Sequence, residues 1–108
     1  MALAEACYHS TRDFPREEAY GMTSQIRRAA ASIPANIAEG HGRDQTGVFI
    51  QFLRVSQGSL KELETHILLS ERVGLLARDA ASQLTEATDE IGRMLRSLIR
   101  SLERNRPN

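Results

Sequence analysis

Between a few proline and glycine marks, the apolar residues of this chain recur every three or four positions, and no window of length alternates apolar with polar. That pattern fits the 3.6-residue period of a helix and misses the two-residue period of a strand. The marks are Phe14-Pro15, Gly21, Gly40 with Gly42, Gly74 and Pro107. Residues of this kind end helices or turn the chain. Only 5% of the residues are aromatic, while Ala, Leu, Arg and Glu abound, so intrinsic helix propensity points the same way. At 108 residues there is room for one modest core. The spacing predicts an all-α fold, an up-down antiparallel helical bundle forming a single domain over residues 1–108, its first helix shorter than the others.

The first stripe is Leu3, Cys7 and Phe14, on a helix ending near Asp13, where Pro15 disfavours helix in the residue before it. The second carries Met22, Ile26, Ala29, Ala30, Ile33 and Ile37. Thr23 or Ser24 is suited to cap its start and Gly40 its end. Pro34 inside it predicts a kink or a break, because it frees the carbonyl of Ala30. Asp44 is a candidate N-cap for a third helix running to about Val73, with a main stripe of Phe49, Phe52, Leu53, Ser56, Leu60, Leu63 and Ile67. A second set on that helix, Val48, Val55, Ser59, His66 and Val73, lies roughly 100° round it, and a subunit interface is the expected cover for such a flank. The last helix begins near Asp79 with a seam of Leu84, Ala87, Ile91, Leu95, Leu98 and Leu102.

Several segments resemble a known family. Tyr8…Phe14-Pro15…Glu18…Tyr20-Gly21-Met22…Gln25-Ile26-Arg27-Arg28-Ala29-Ala30 is similar to the opening of the four-helix-bundle proteins related to those encoded in 23S rRNA intervening sequences. The resemblance sharpens at Ser32-Ile33-Pro34-Ala35-Asn36-Ile37-Ala38-Glu39-Gly40-His41-Gly42-Arg43, against the family's S-I-x-x-N-I-A-E-G-x-G-R. It continues through Phe52-Leu53…Gly58-Ser59-Leu60…Glu62-Leu63-Glu64-Thr65 and Glu90-Ile91…Met94-Leu95…Leu98-Ile99. It implies a four-helix bundle, a homopentameric ring and, for the retroelement accessory (variability determinant) branch, association with a reverse transcriptase and with nucleic acid. Those accessory members tend to be strongly basic, whereas this chain has a formal net charge of zero.

Zero net charge excludes a uniformly basic polynucleotide binder but leaves open one with segregated charge. Residues 1–91 hold nine basic and thirteen acidic side chains, and residues 92–108 hold five arginines and one glutamate. The two stretches therefore carry −4 and +4. On the last helix Arg93, Arg96, Arg100 and Arg104 share an arc of roughly 80° away from the seam. Guanidinium forks match phosphate geometry, so these four are the leading nucleic-acid-binding residues, with Arg27, Arg28 and Arg43 behind them. A solvated face, or salt bridges to a neighbouring subunit, explains the same stripe.

Other chemistries find little support. Asn36–Arg43 reads as capping and turn chemistry, with Gly40 or Gly42 left-handed and Glu39 four residues before Arg43. A phosphate-binding glycine loop would need a helix start there rather than a helix end. His9, His41 and His66 fall on separate elements and form no Glu-x-x-His pair, so no metal or cofactor is expected. Ser59 lacks a nucleophile elbow, and Cys7 lies on a seam. The acidic neighbours Glu17-Glu18 and Asp89-Glu90 splay apart, so no enzyme is expected. Without a basic leader or a long apolar run, a cytoplasmic protein that does not enter the membrane is expected. The favoured reading is a non-enzymatic homo-oligomeric scaffold engaging RNA, DNA or a reverse transcriptase through the arginine face. The alternative is a pure protein-interaction or self-assembly module.

Overall fold

The computed structural model describes residues 1–105; Arg106 and Pro107, counted above, lie outside the described residues. Four helices carry the chain: α1 (Ala2–Thr11), α2 (Met22–His41), α3 (Thr46–Arg72) and α4 (Arg78–Arg104), with a 3-10 turn at Arg16–Glu18. α3 packs between α2 and α4, and α1 closes across α2 and α4. Connections at 42–45 and 73–77 are short enough to turn consecutive helices back on one another. The result is an elongated all-α bundle of 51 × 23 × 18 Å with a first helix of only 10 residues.

α1 stops at Thr11, two residues before Asp13, because its hydroxyl turns inward. Thr11 Oγ1 donates to the Cys7 carbonyl at 2.8 Å and accepts from Arg27 Nε at 2.9 Å. Phe14 is buried beyond the helix end, and Pro15, in an extended conformation, starts the 3-10 turn. That turn supplies the cap of α2. The Glu18 carboxylate accepts the Met22 N–H at 3.3 Å, so neither Thr23 nor Ser24 caps the helix. An acceptor four residues upstream does the work that an N-cap side chain would.

Further expectations about helix ends are overturned. α2 runs through Pro34 without a break, which removes one of the two outcomes expected there, and Gly40 lies inside the helix, buried. Gly42, at the helix end, has a right-handed φ of −74°. The cap of α3 falls at Gln45 with no side-chain bond, which leaves Asp44 outside that role. Among the described residues the left-handed conformation occurs only at Gly74, φ +83°. There the N–H groups of Leu75 and Leu76 return to the Ser70 carbonyl and close the end of α3.

The interior follows the predicted stripes on α2 and α3, with one rotation on α4. Ile26, Ala29, Ala30 and Ile33 of α2 are buried, as are Leu53, Ser56, Leu60, Leu63 and Ile67 of α3. On α4 the buried line is Ala81, Leu84, Thr88, Gly92, Leu95 and Ile99. That line is turned about 60° from the expected seam. The buried line runs through Gly92, where Leu60 Cδ2 of α3 would stand 3.4 Å from an added Cβ, an ordinary contact distance. Ala87, Ile91 and Leu102 consequently sit half-buried, and Met94 and Leu98 are exposed. The second flank of α3 also stays open at Val55 and Val73, while Val48, Ser59 and His66 are half-buried.

Cys7 is fully buried on α1, and desolvation pushes its thiol up to about 11. The folded state thus holds its proton to higher pH than the unfolded chain does. The resulting stability is complete below the ordinary thiol pKa of 9.0 and is lost as pH rises through about 11. Denaturant midpoints measured from pH 8 upward should fall across that window in the wild type and stay flatter in Cys7→Ala. The native thiol should also resist a disulfide reagent at pH 8 that labels the unfolded chain at once.

Candidate nucleic-acid interface

Arg93, Arg96, Arg100 and Arg104 are all exposed along α4, and none has an acidic partner among the described residues. The rotation of α4 decides where they point. With Gly92 turned inward, Arg96 folds against the α3 side of the helix, its Nη1 3.4 Å from a Cβ at position 92. Arg93 and Arg96 then share a groove of about 550 Å³ with Arg54 and Lys61 of α3. Gly58 and Gly92 contribute no side chain to its walls, and at Gly58 an added Cβ would meet nothing within 4 Å.

Four cations and two carboxylates, Glu64 and Asp89, line that groove. Arg54 also donates to Glu103 at 3.3 Å, and Lys61 meets Glu64 at 3.5 Å. These are exposed or half-exposed pairs, worth at most about 1 kcal/mol and open to exchange. A polyanion entering the groove gains two unpaired guanidinium groups and releases two weak pairs. The arrangement is suited to phosphate contacts rather than to reading bases, since its donors are charged ends on flexible stems.

Sequence reading missed Arg54 and Lys61. Their signal was available: seven residues apart is two helical turns, which puts both on one face of α3. What the sequence could not supply is that this face adjoins the arginines of α4. The weaker candidates are not gathered here. Arg27 stacks over the Tyr8 ring at 4.6 Å and bonds Thr11, fastening α1 to α2. Arg28 lines a separate notch between α2 and α3 with Gln25, Ser59 and Glu62. Arg43 pairs with Glu39 one turn back, as the spacing predicts, and lies near the Phe52 ring.

The segment around Asn36 has a structural use different from capping. Asn36 Nδ2 donates to the Ser32 carbonyl at 2.8 Å and to Ser32 Oγ at 3.0 Å. Ser32 Oγ in turn pairs with Ser59 Oγ on α3 at 2.8 Å. Ser56 Oγ donates across the same contact to the Ile33 carbonyl at 3.0 Å. These bonds lock α2 to α3. Among the described residues no three His, Cys, Asp or Glu side chains gather as a metal site, and no helix is long and apolar enough to cross a membrane.

The family model described as 23S rRNA-intervening sequence protein matches residues 1–97. A crystal structure of a protein of unknown function from the S23 ribosomal protein family of Bacteroides thetaiotaomicron is similar, with a TM-score of 0.72 and 26% sequence identity. The match covers 91% of this chain and 85% of that one. No curated protein matches the chain.

Proposed function

The chain belongs to the 23S rRNA-intervening sequence protein family, and from that premise we propose that it is a non-enzymatic helical scaffold that self-associates and binds nucleic acid through the groove between α3 and α4. One observation carries the reading: Arg93 and Arg96, with no acidic partner among the described residues, converge with Arg54 and Lys61 from a second helix. Arg100 and Arg104 extend the cationic track along α4. Phosphate contacts on such a track carry the affinity. A reverse transcriptase or another nucleic-acid enzyme would then be met on the polynucleotide it shares with the scaffold. Self-association is supported by the open flank of α3, where Val55 and Val73 are 51% and 60% exposed.

Fluorescence anisotropy of labelled structured RNA and duplex DNA, taken across a salt series, tests this. On duplex DNA, log affinity should fall with log salt at about −0.9 per neutralised phosphate. The Arg93→Ala, Arg96→Ala double variant should lower that slope by about 1.8, with its helical content unchanged because both side chains are exposed. Absence of binding to either nucleic acid at about 50 mM salt overturns the groove as a phosphate surface.

A second reading, a self-assembly module with no nucleic-acid role, draws on the same exposed flank of α3. It predicts that sedimentation gives a mass several-fold above the 12.0 kDa of the chain while the anisotropy series stays flat.

A further inference from the structure

Of the two carboxylates in the cationic groove, Glu64 meets Lys61 at 3.5 Å, while Asp89 has no cationic partner among the described residues. Asp89 stands four residues before Arg93, the acid-first spacing that favours an ion pair on a helix. The pair does not form, and both side chains line the groove instead. The register of the two helices follows from Arg54 beside Glu103 and Leu60 beside Gly92. It sets Arg54 toward the level of Arg96 and Glu64 toward that of Asp89. The groove thus has a cationic end at Arg54, Arg93 and Arg96 and an acceptor end at Asp89, and Gly58 and Gly92 add no side chain between them. Phosphate alone does not suit the acceptor end, because a carboxylate repels it. An ionised carboxylate only accepts hydrogen bonds, so the ligand that fits both ends carries a neutral donor close to a phosphate.

We propose that the groove selects RNA over DNA, with Arg93 and Arg96 holding a phosphate and the Asp89 carboxylate accepting a hydrogen bond from a ribose 2′-hydroxyl of the same strand. The inference rests on the reading of this groove as a nucleic-acid surface and adds the sugar to it. RNA offers one such hydroxyl at every nucleotide, and DNA offers none within its chain. Along the α4 axis Asp89 and Arg93 are about 6 Å apart, within the span of one nucleotide unit, so a phosphate and a neighbouring hydroxyl reach the two together. The bond from hydroxyl to carboxylate is charge-assisted. Deoxyribose sets only a C–H against the same carboxylate and leaves its repulsion of the nearby phosphate uncompensated. The bases take no part in the choice, since no aromatic side chain lines the groove to stack on them.

The test uses the full chain and fluorescein-labelled stem-loops of one sequence, made as RNA, as 2′-O-methyl RNA and as DNA. The 2′-O-methyl probe keeps the charge and the A-form stem of RNA and lacks the hydroxyl proton. RNA should bind about fivefold more tightly than either of the others, the gain from one charge-assisted hydrogen bond at an exposed site. Asp89→Ala should weaken RNA and strengthen the other probes, bringing the affinities together. Its far-ultraviolet circular dichroism spectrum should stay unchanged, because the side chain is exposed. Glu90→Ala removes a charge from the same turn of α4 outside the groove and should keep the preference for RNA. Equal binding of every probe to the wild type overturns the inference and leaves the phosphate groove standing. A uniform gain in Asp89→Ala does the same, by making the carboxylate a source of repulsion only. A preference for both RNA forms over DNA also overturns it, since helix shape would then be what the protein reads. Absence of binding by every probe at about 50 mM salt overturns both the inference and the reading beneath it.

Discussion

Leu63→Ala should lower the stability of this fold by about 2–5 kcal/mol, the range for emptying a fully buried leucine site. Leu63 is 0% exposed in the helix that packs against both α2 and α4. Its side chain fills a position that no loop or short helix end can move in to occupy. Two terms add: the transfer free energy of the lost methyl and methylene groups, and the cavity that rigid helices on either side leave open. A domain of this size has roughly 5–15 kcal/mol in total, so the variant loses a large share and approaches unfolding at physiological temperature. Urea titration measures it, with the midpoint falling and the slope unchanged if the native state stays compact. Leu68→Ala is the matched control. Its side chain is on the same helix and 51% exposed, and the expected change is within about 0.5 kcal/mol. Equal losses at the two positions would mean that α3 is not buried along the face described here.

The contrast between those leucines could be read from the sequence, and the reason is periodicity. On α2 and α3 nearly every residue that alternates by three and four is inside, because a long helix with neighbours on two sides has no freedom to present another face. Periodicity failed on α4 for a physical reason. Leu84, Ala87, Ile91, Leu95, Leu98 and Leu102 form the more apolar stripe, yet the chain buries the line through Thr88 and Gly92. The buried line follows the face that α3 covers, where Leu60 Cδ2 would lie at an ordinary 3.4 Å from a Cβ at Gly92. Hydrophobic patterning counts the side chains of one helix and does not register which face a neighbour covers. The same blindness hid half of the cationic groove. Arg96 was legible as part of a stripe, but its convergence with Arg54 and Lys61 depends on how far α4 has turned. Helix ends were lost for another reason: Glu18 caps α2 from within a 3-10 turn, a geometry that capping residues at the boundary do not announce.

Gly40→Ala tests close helix approach at a glycine, and its expected sign is opposite to helix propensity. In an isolated helix the change would stabilise by about 1 kcal/mol. Here a Cβ at position 40 would stand 2.6 Å from Phe52 Cβ and 3.0 Å from Phe49 Cδ1. Phe52 Cβ is fixed to the backbone of α3, so no rotamer change relieves the contact and the two helices must separate. Overpacking of this kind costs about 1–3 kcal/mol and occasionally more. Separation also stretches the bonds that depend on the same approach, Ser56 to the Ile33 carbonyl and Ser32 to Ser59. Net destabilisation of about 2 kcal/mol is expected, a fall of roughly 8–16 °C in melting temperature for a chain of this length. Gly58→Ala, on α3 with nothing within 4 Å of the new Cβ, should instead stabilise by about 0.5–1 kcal/mol, since only backbone entropy changes. Opposite signs at two helical glycines would tie Gly40 to the α2–α3 approach. A stabilised Gly40→Ala protein would mean that the helices stand further apart, and that the Asn36–Arg43 segment owes its sequence to something other than packing.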